Sequence, residues 1–215
     1  MWTYNWTGVT IGAQPVFRGC AERREEQAHG NACESGTGAR DRRWPAMSTM
    51  RPCERVGLEF LENAPVRCSN SVDLAVTPEQ LFEVLADADS WPQWASVITK
   101  VTWTSPEPRG VGTTRVVHMR GGLVGDEEFL VWEPNTRMAF RFNSSSTGAL
   151  RAFAEDYRII PTPEGCRLTW TLAQSLAGPA RFTAFVATPF MNMAFRRFLA
   201  NLRRYTDHRF APAQP

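Results

Sequence analysis

The sequence lacks the features that mark several large classes of protein. No run of about eighteen apolar residues occurs, so we expect no transmembrane helix. The N-terminus has neither a basic start nor a continuous apolar segment, so it does not resemble a signal peptide. The net charge is only +2, which gives no strong field to attract nucleic acid or a membrane surface. We therefore expect a cytoplasmic protein without nucleic-acid partners and without integral membrane association.

The motifs of metal, redox and nucleotide chemistry are also absent. The three histidines are far apart, and no C-x-x-C pair occurs, so we predict no metal site and reduced thiols. No P-loop, nucleophile elbow or dinucleotide fingerprint appears, so we expect no cofactor. The cysteines are odd in number and widely spaced: Cys20, Cys33, Cys53, Cys68 and Cys166.

The N-terminal third of the chain, residues 1–66, shows no sustained hydrophobic periodicity. Without an apolar stripe it cannot bury enough surface to offset the entropy of ordering, so we predict a poorly ordered extension. Three interpretations remain open: a regulatory tail, a tail without a role, or sequence that precedes a later translation start at Met47 or Met50. The change of pattern soon after those methionines favours the late start. Residues 209–215 are expected to form a short C-terminal tail.

Periodic patterns begin at residue 67. Val72, Leu74 and Val76 alternate with polar residues, which predicts a strand. Thr77 then has the properties of a helix N-cap, with proline next and glutamine at the capping-box position. This helix is short, and we expect the following Trp91-Pro92 pair to move the backbone at Trp91 out of the helical region.

The rest of the chain predicts a sheet followed by a long helix. Short turns rich in Pro, Gly and Asn predict antiparallel hairpins with one apolar face, which needs a cover. In the C-terminal stretch, apolar residues such as Phe195 and Leu202 share one helical face and arginines share the other. Pro189 predicts either a kink or two helices. The predicted strands are 97–105, 113–120, 127–133, 137–145, 150–161 and 166–176.

This order of elements, together with "SWPQWASVITKVTW", "EEFLVWEPNTRMAFRF" and "CRLTWTL", resembles the SRPBCC or START-like superfamily over residues 67–208. The closest resemblance is to its polyketide cyclase/dehydrase and lipid transport branch. It implies an α+β helix-grip fold, in which a curved seven-stranded antiparallel sheet surrounds a long C-terminal helix. Two short helices follow the first strand, and a cavity lies between sheet and helix. Trp91 is then expected to plug one end of the core, whereas Trp94 either plugs it or contacts ligand.

One polar residue interrupts the apolar face of a predicted strand. Glu155 shares its face with Phe153, Tyr157 and Ile159, so we predict that it faces the cavity, where burial would raise its pKa and suit it to acid–base chemistry. A bulge or a pairing arginine would remove that property. Tyr157 and His118 are the other candidate catalytic residues. The candidate ligand-binding residues are aromatic: Trp94, Trp132, Phe140, Phe142, Phe153 and Trp170.

Three functions are compatible with these residues. We favour a carrier or sensor that binds a hydrophobic small molecule, lipid or polyketide-like, because no set of polar residues clearly converges in the sequence. The alternative is an enzyme of the cyclase or dehydratase type, in which Glu155 moves a proton. The third is a regulatory module that binds a partner through the arginine face of the last helix, around Arg196 and Arg203. The patterns do not indicate the ligand or the oligomeric state.

Overall fold

The computed structural model describes residues 49–178 and 180–211, and of residues 180–187 only the backbone. Residues 1–48 of the predicted N-terminal extension, Met47 among them, lie outside the described part, as do residues 212–215. The helices are α1 Phe60–Asn63, α2 Pro78–Ala86, α3 Trp91–Trp94 and α4 Ala180–Arg209. The strands are β1 Arg51–Pro52, β2 Val66–Leu74, β3 Ile98–Trp103, β4 Thr114–Met119, β5 Val124–Glu133, β6 Arg137–Ser145, β7 Leu150–Thr162 and β8 Gly165–Leu176.

The strands form one antiparallel sheet with the order β2-β8-β7-β6-β5-β4-β3, and β1 pairs with the end of β6. Consecutive strands from β3 to β8 are neighbours, as the short turns predict. Bulges interrupt the register in β3, β5 and β7, and such bulges bend a sheet. The predicted α+β helix-grip fold, with a curved seven-stranded sheet and a long C-terminal helix, is confirmed.

The segment before β2 corrects the predicted domain boundary. Residues 51–54 lie where β6 and β7 separate: the Cys53 backbone N–H donates to the Asn143 carbonyl at 2.9 Å, and that of Glu54 donates to the Arg151 carbonyl at 2.8 Å. Leu61 of α1 is also buried. Residues 51–66 therefore belong to the folded unit, although they were predicted to be poorly ordered. Backbone hydrogen bonds hold much of this segment in place. Because any residue type can form them, they produce no hydrophobic periodicity that the sequence would reveal.

The two short helices fit together through side-chain hydrogen bonds. Thr77 and Gln80 form the predicted capping box at the start of α2. Helix α3 begins at Trp91, with Pro92 in its first turn, so the prediction that Trp91 leaves the helical region is wrong; proline is well tolerated at that position. The Trp91 indole N–H donates to the Leu85 carbonyl at 3.0 Å. This bond ties α3 to the end of α2 and fixes the orientation of the indole ring.

Helix α4 covers the apolar face of the sheet. It runs as one helix through Pro189, so of the two predicted alternatives the two-helix arrangement is excluded. Leu199 and Leu202 are buried, and the Asn201 amide donates to the Trp94 carbonyl at 3.1 Å. The arginines of the opposite face are exposed, as in an ordinary amphipathic helix. None of the described helices has the length and apolar character needed to cross a membrane.

Candidate functional site

A cavity of about 310 Å³ lies between the inner face of the sheet and α4. Alternate residues of β4 to β8 form one wall, because successive side chains of a strand point to opposite faces. Helices α3 and α4, together with Ala95, Val97 and Ile98 after α3, supply the rest. Most of the lining is aromatic or aliphatic, which suits an apolar ligand. The aromatic part of the wall consists of Trp91, Phe140, Phe142, Phe153, Tyr157, Trp170, Phe195 and Phe198.

Glu155 and Tyr157 form the first polar pair in this wall. Strand β7 keeps continuous register with β8 from Ala152 to Thr162, so the alternation that predicted an inward Glu155 holds in the structure. Glu155 is 7% exposed, and Tyr157 is completely buried. The Tyr157 hydroxyl donates to Glu155 Oε2 at 2.5 Å. The structure therefore brings together two of the three candidate catalytic residues.

Arg115 and Glu127 form a second polar pair, which the sequence analysis missed. They are direct cross-strand partners on β4 and β5, and the Arg115 Nε–H donates to Glu127 Oε2. Their side chains are 1% and 4% exposed, and both line the cavity. The same alternation rule could have found them, because Arg115 shares a face with Val117 and Glu127 shares one with Phe129. The consecutive valines of β4 obscured which face was inward.

Aromatic rings surround the Arg115 guanidinium. Its Cζ lies 4.4 Å from the centre of the Trp91 ring, 4.8 Å from that of Phe140 and 5.0 Å from that of Phe129. Ring faces attract a cation, most strongly where water is excluded. Among the described residues, Arg115 Nη1 has no hydrogen-bond partner. The rings and Glu127 thus hold a buried cation that keeps one donor group unused.

The charges of this cluster do not balance if every group ionises. Burial raises the pKa of Glu155 to about 8, and the negative charge of Glu127 adds to the rise, while the Tyr157 hydrogen bond and Arg115 oppose it. Burial also raises the pKa of Glu127, against the attraction of Arg115. Since Arg115, the one guanidinium among the described lining residues, contacts Glu127 directly, Glu155 is the carboxyl left to take a proton at neutral pH. Burial raises the pKa of Tyr157 well above its ordinary value, so its hydroxyl stays protonated.

Three of the predicted site residues lie elsewhere. His118 is exposed, because β4 turns Arg115, Val117 and Met119 inward. Trp94 is fully buried behind Trp91 and Trp170, and these two are the tryptophans of the described cavity wall.

Trp132 is the third displaced residue. A bulge between Phe129 and Val131 pairs Trp132 with Met138, and its ring packs against Phe82 of α2 at 5.5 Å. Phe140, Phe142, Phe153 and Trp170 do line the cavity. Within the described ranges, no three His, Cys, Asp or Glu side chains lie close enough together to hold a metal ion.

The raised pKa of Glu155 predicts a specific dependence of stability on pH. The pKa of Glu155 in the folded protein lies above its ordinary value of 4.5. Its contribution to the free energy of unfolding is therefore fully present below about pH 4.5 and is lost as the pH rises to about 8. Glu155→Gln removes this loss. We expect the free energy of unfolding of wild type to fall relative to that of the variant, by on the order of a few kcal/mol, in denaturant titrations between those limits.

Glu164→Gln, at an exposed turn, is the control and should behave as wild type. Parallel curves of unfolding free energy against pH for wild type and Glu155→Gln would contradict the raised pKa of Glu155.

Comparison with known proteins agrees with this architecture. A family model described as "Polyketide cyclase / dehydrase and lipid transport" matches residues 65–207. The uncharacterized protein Rv2574 of Mycobacterium tuberculosis is 72% identical over 165 residues, which cover 77% of this chain and 99% of that protein.

Two solved structures share the fold at low sequence identity. Protein MLL2253 from Mesorhizobium loti aligns with a TM-score of 0.52 and 22% identity, over 66% of this chain and 97% of that one. A START superfamily protein from Mycobacterium smegmatis aligns with a TM-score of 0.51 and 15% identity, over 66% of this chain and 95% of that one. On the evidence of its fold, its cavity and the family match over residues 65–207, the chain belongs to the polyketide cyclase / dehydrase and lipid transport family.

Proposed function

We propose that this protein binds a hydrophobic small molecule, lipid or polyketide-like, in the cavity between the sheet and α4, as a carrier or sensor. The observation that carries the proposal is a largely apolar cavity with one buried polar cluster in its wall. Ligand sites commonly combine an apolar lining with a few polar groups that fix the orientation of the ligand. The family description, which includes lipid transport, supports the same interpretation.

The size of the cavity limits the ligand. Its volume of about 310 Å³ lies at the lower end of the range of about 300–1,000 Å³ that is typical of small-molecule sites. A compact molecule with one or two rings, or a single short acyl chain, suits this volume better than a lipid with two long chains. Val97 lines the cavity and is also 37% exposed, which indicates an opening beside the loop between α3 and β3.

A substitution that fills the cavity tests the proposal. Ala194 lines the cavity from α4, whereas its neighbour Met193 is 66% exposed. We expect native mass spectrometry of gently purified wild type to show an adduct that organic extraction removes. Ala194→Phe should lose this adduct because the added ring occupies the ligand's space, and Met193→Phe should keep it.

The extract of the wild-type protein would identify the chemical class of the ligand. An adduct that persists equally in wild type and Ala194→Phe would place the bound compound outside the cavity. A bare mass for wild type, together with no binding of added hydrophobic compounds, would contradict the proposal.

One observation favours a second function, an enzyme of the cyclase or dehydratase type. Glu155 is a buried carboxyl with a pKa of about 8 and a hydrogen bond to Tyr157. A group that gains and loses a proton near neutral pH is suited to general acid–base catalysis. In this alternative, Glu155 exchanges a proton with the substrate while the aromatic wall holds the substrate in one conformation.

Glu155→Gln distinguishes the enzyme from the carrier. With the compound recovered from the cavity as test substrate, an enzyme should lose about a hundredfold or more in kcat in this variant, while KM changes little. Product formation is followed by liquid chromatography and mass spectrometry, with Glu164→Gln as the control. Full activity of Glu155→Gln would exclude Glu155 as the acid or base, and no conversion by wild type would favour the carrier.

A further inference from the structure

We infer that Gly125, on β5, limits the size of the ligand that this cavity accepts, because it lets the ring of Phe142 lie low against the sheet. The inference rests on the proposed function and deepens it, since it names a residue that decides which hydrophobic molecules fit. Phe142 lines the cavity, and Gly125 acts through it as a positioning residue.

Gly125 lies on the inner face of the sheet, between the polar cluster and the opening of the cavity. It is buried, and its cross-strand partner on β4 is Val117, which lines the cavity. Along β4, Val117 lies between Arg115 of the polar cluster and Met119. The residue after Met119 donates its backbone N–H to the Val97 carbonyl at 2.8 Å, beside the opening. A ligand that enters there therefore passes the layer of side chains around position 125 before it reaches the polar cluster.

The ring of Phe142 fills the space in front of Gly125. A methyl group at position 125 would lie 2.5 Å from Phe142 Cε2 and closer still to its Cζ, whereas carbon atoms in contact are about 3.5–4.0 Å apart. Gly125 has none of the positive φ angles of Gly121 and Gly122, so its backbone does not require glycine. A glycine inside a strand often marks a close approach of another group, and here that group is an aromatic ring.

The Phe142 ring is too tightly packed to make room for a methyl group without changing the cavity. It is 2% exposed, and the Phe153 ring packs on it with the ring centroids 4.2 Å apart. Phe153 also lines the cavity and is the more exposed of the two. Since a close-packed interior holds little spare space, a side chain at position 125 would displace the Phe142 ring from β5. The cavity would lose volume, either to that ring or to Phe153 moved by it.

The small volume of the cavity makes such a loss measurable. The cavity holds about 310 Å³, so the space of one or two methylene groups is an appreciable part of it. Each methylene that a ligand buries strengthens binding by about fourfold, and a methylene that no longer fits adds nothing. The longest chain that still gains affinity therefore measures the usable length of the cavity.

A series of primary alcohols tests the inference. The even-numbered alcohols from butanol to dodecanol are titrated against each variant, and binding is followed by tryptophan fluorescence because Trp91 and Trp170 line the cavity. In wild type, the affinity should rise with chain length and then level off. Ala194→Phe should abolish binding of the whole series, which places the alcohols in the cavity.

Gly125→Ala should level off at a shorter alcohol than wild type. We expect it to bind the longest alcohol that fits wild type about tenfold more weakly, while its affinity for butanol changes little. Gly110→Ala is the matched control, because a methyl group at that position would meet no atom within 4 Å. Its affinities should follow those of wild type throughout the series.

Phe142→Leu tests the same contact from the other side and introduces no steric overlap. The smaller side chain should let longer alcohols gain affinity than in wild type. The double variant Gly125→Ala/Phe142→Leu should return the limiting length towards that of wild type, because leucine leaves space for the methyl group. A general weakening of the fold would instead reduce the affinity for short and long alcohols alike, and Phe142→Leu would not reverse it.

The outcomes separate this inference from the proposed function. If folded Gly125→Ala and Phe142→Leu both level off at the same alcohol as wild type, the inference is overturned, and binding in the cavity still supports the proposed function. An equal loss for butanol and the longer alcohols in Gly125→Ala would also overturn it. If Gly125→Ala does not fold, Phe142→Leu decides, and an unchanged limiting length in that variant overturns the inference. If no alcohol binds wild type, the proposed function and the inference are both contradicted.

Discussion

The structure of the site depends on one imbalance: the described part of the cavity wall buries two carboxyl groups, those of Glu127 and Glu155, and a single guanidinium, that of Arg115. Arg115 contacts Glu127 directly, whereas Glu155 accepts a hydrogen bond from the Tyr157 hydroxyl and forms no ion pair with the described residues. An unpaired charge in an apolar interior is very costly, and the carboxyl avoids this cost by keeping its proton. The cavity thereby gains an acid that exchanges its proton near neutral pH.

The fold creates this imbalance through simple geometric rules. Alternation along β4, β5 and β7 points Arg115, Glu127 and Glu155 to the inner face, and antiparallel pairing sets the first two directly opposite each other. Helix α3 then brings the Trp91 ring over the guanidinium. Helix α4 closes the cavity with Phe195 and Phe198, which pack on Trp170. Residues of strands β4 to β8 and of helices α3 and α4 line the cavity around the polar cluster, so the site forms only when the sheet and α4 are packed together.

The sequence predicted most of the fold, and six of the nine site residues predicted from it line the cavity; individual residues show why the others were misplaced. Glu155 and Tyr157 could be placed because β7 alternates regularly through them. Arg115 was not predicted as a site residue because valines occupy both faces of β4. Trp132 was predicted to line the cavity, but a bulge in β5 turns its ring toward α2. The roles of Trp91 and Trp94 depend on the rotation of a one-turn helix, which hydrophobic pattern does not determine. Residues 51–54 join the sheet through backbone groups, which leave no side-chain signal.

A direct titration of Glu155 tests this account most sharply. Carbon-13 NMR of the glutamate carboxyl carbons, followed against pH in wild type and in Glu155→Gln, assigns one resonance to this side chain. We predict that the titration midpoint of this resonance lies at about pH 8. Burial favours the protonated carboxyl, and the nearby Arg115 is already paired with Glu127. A midpoint near the ordinary value of 4.5 would show that Glu155 is ionised in the cavity at neutral pH. That result would contradict the account of Glu155 as a buried carboxyl that keeps its proton at neutral pH.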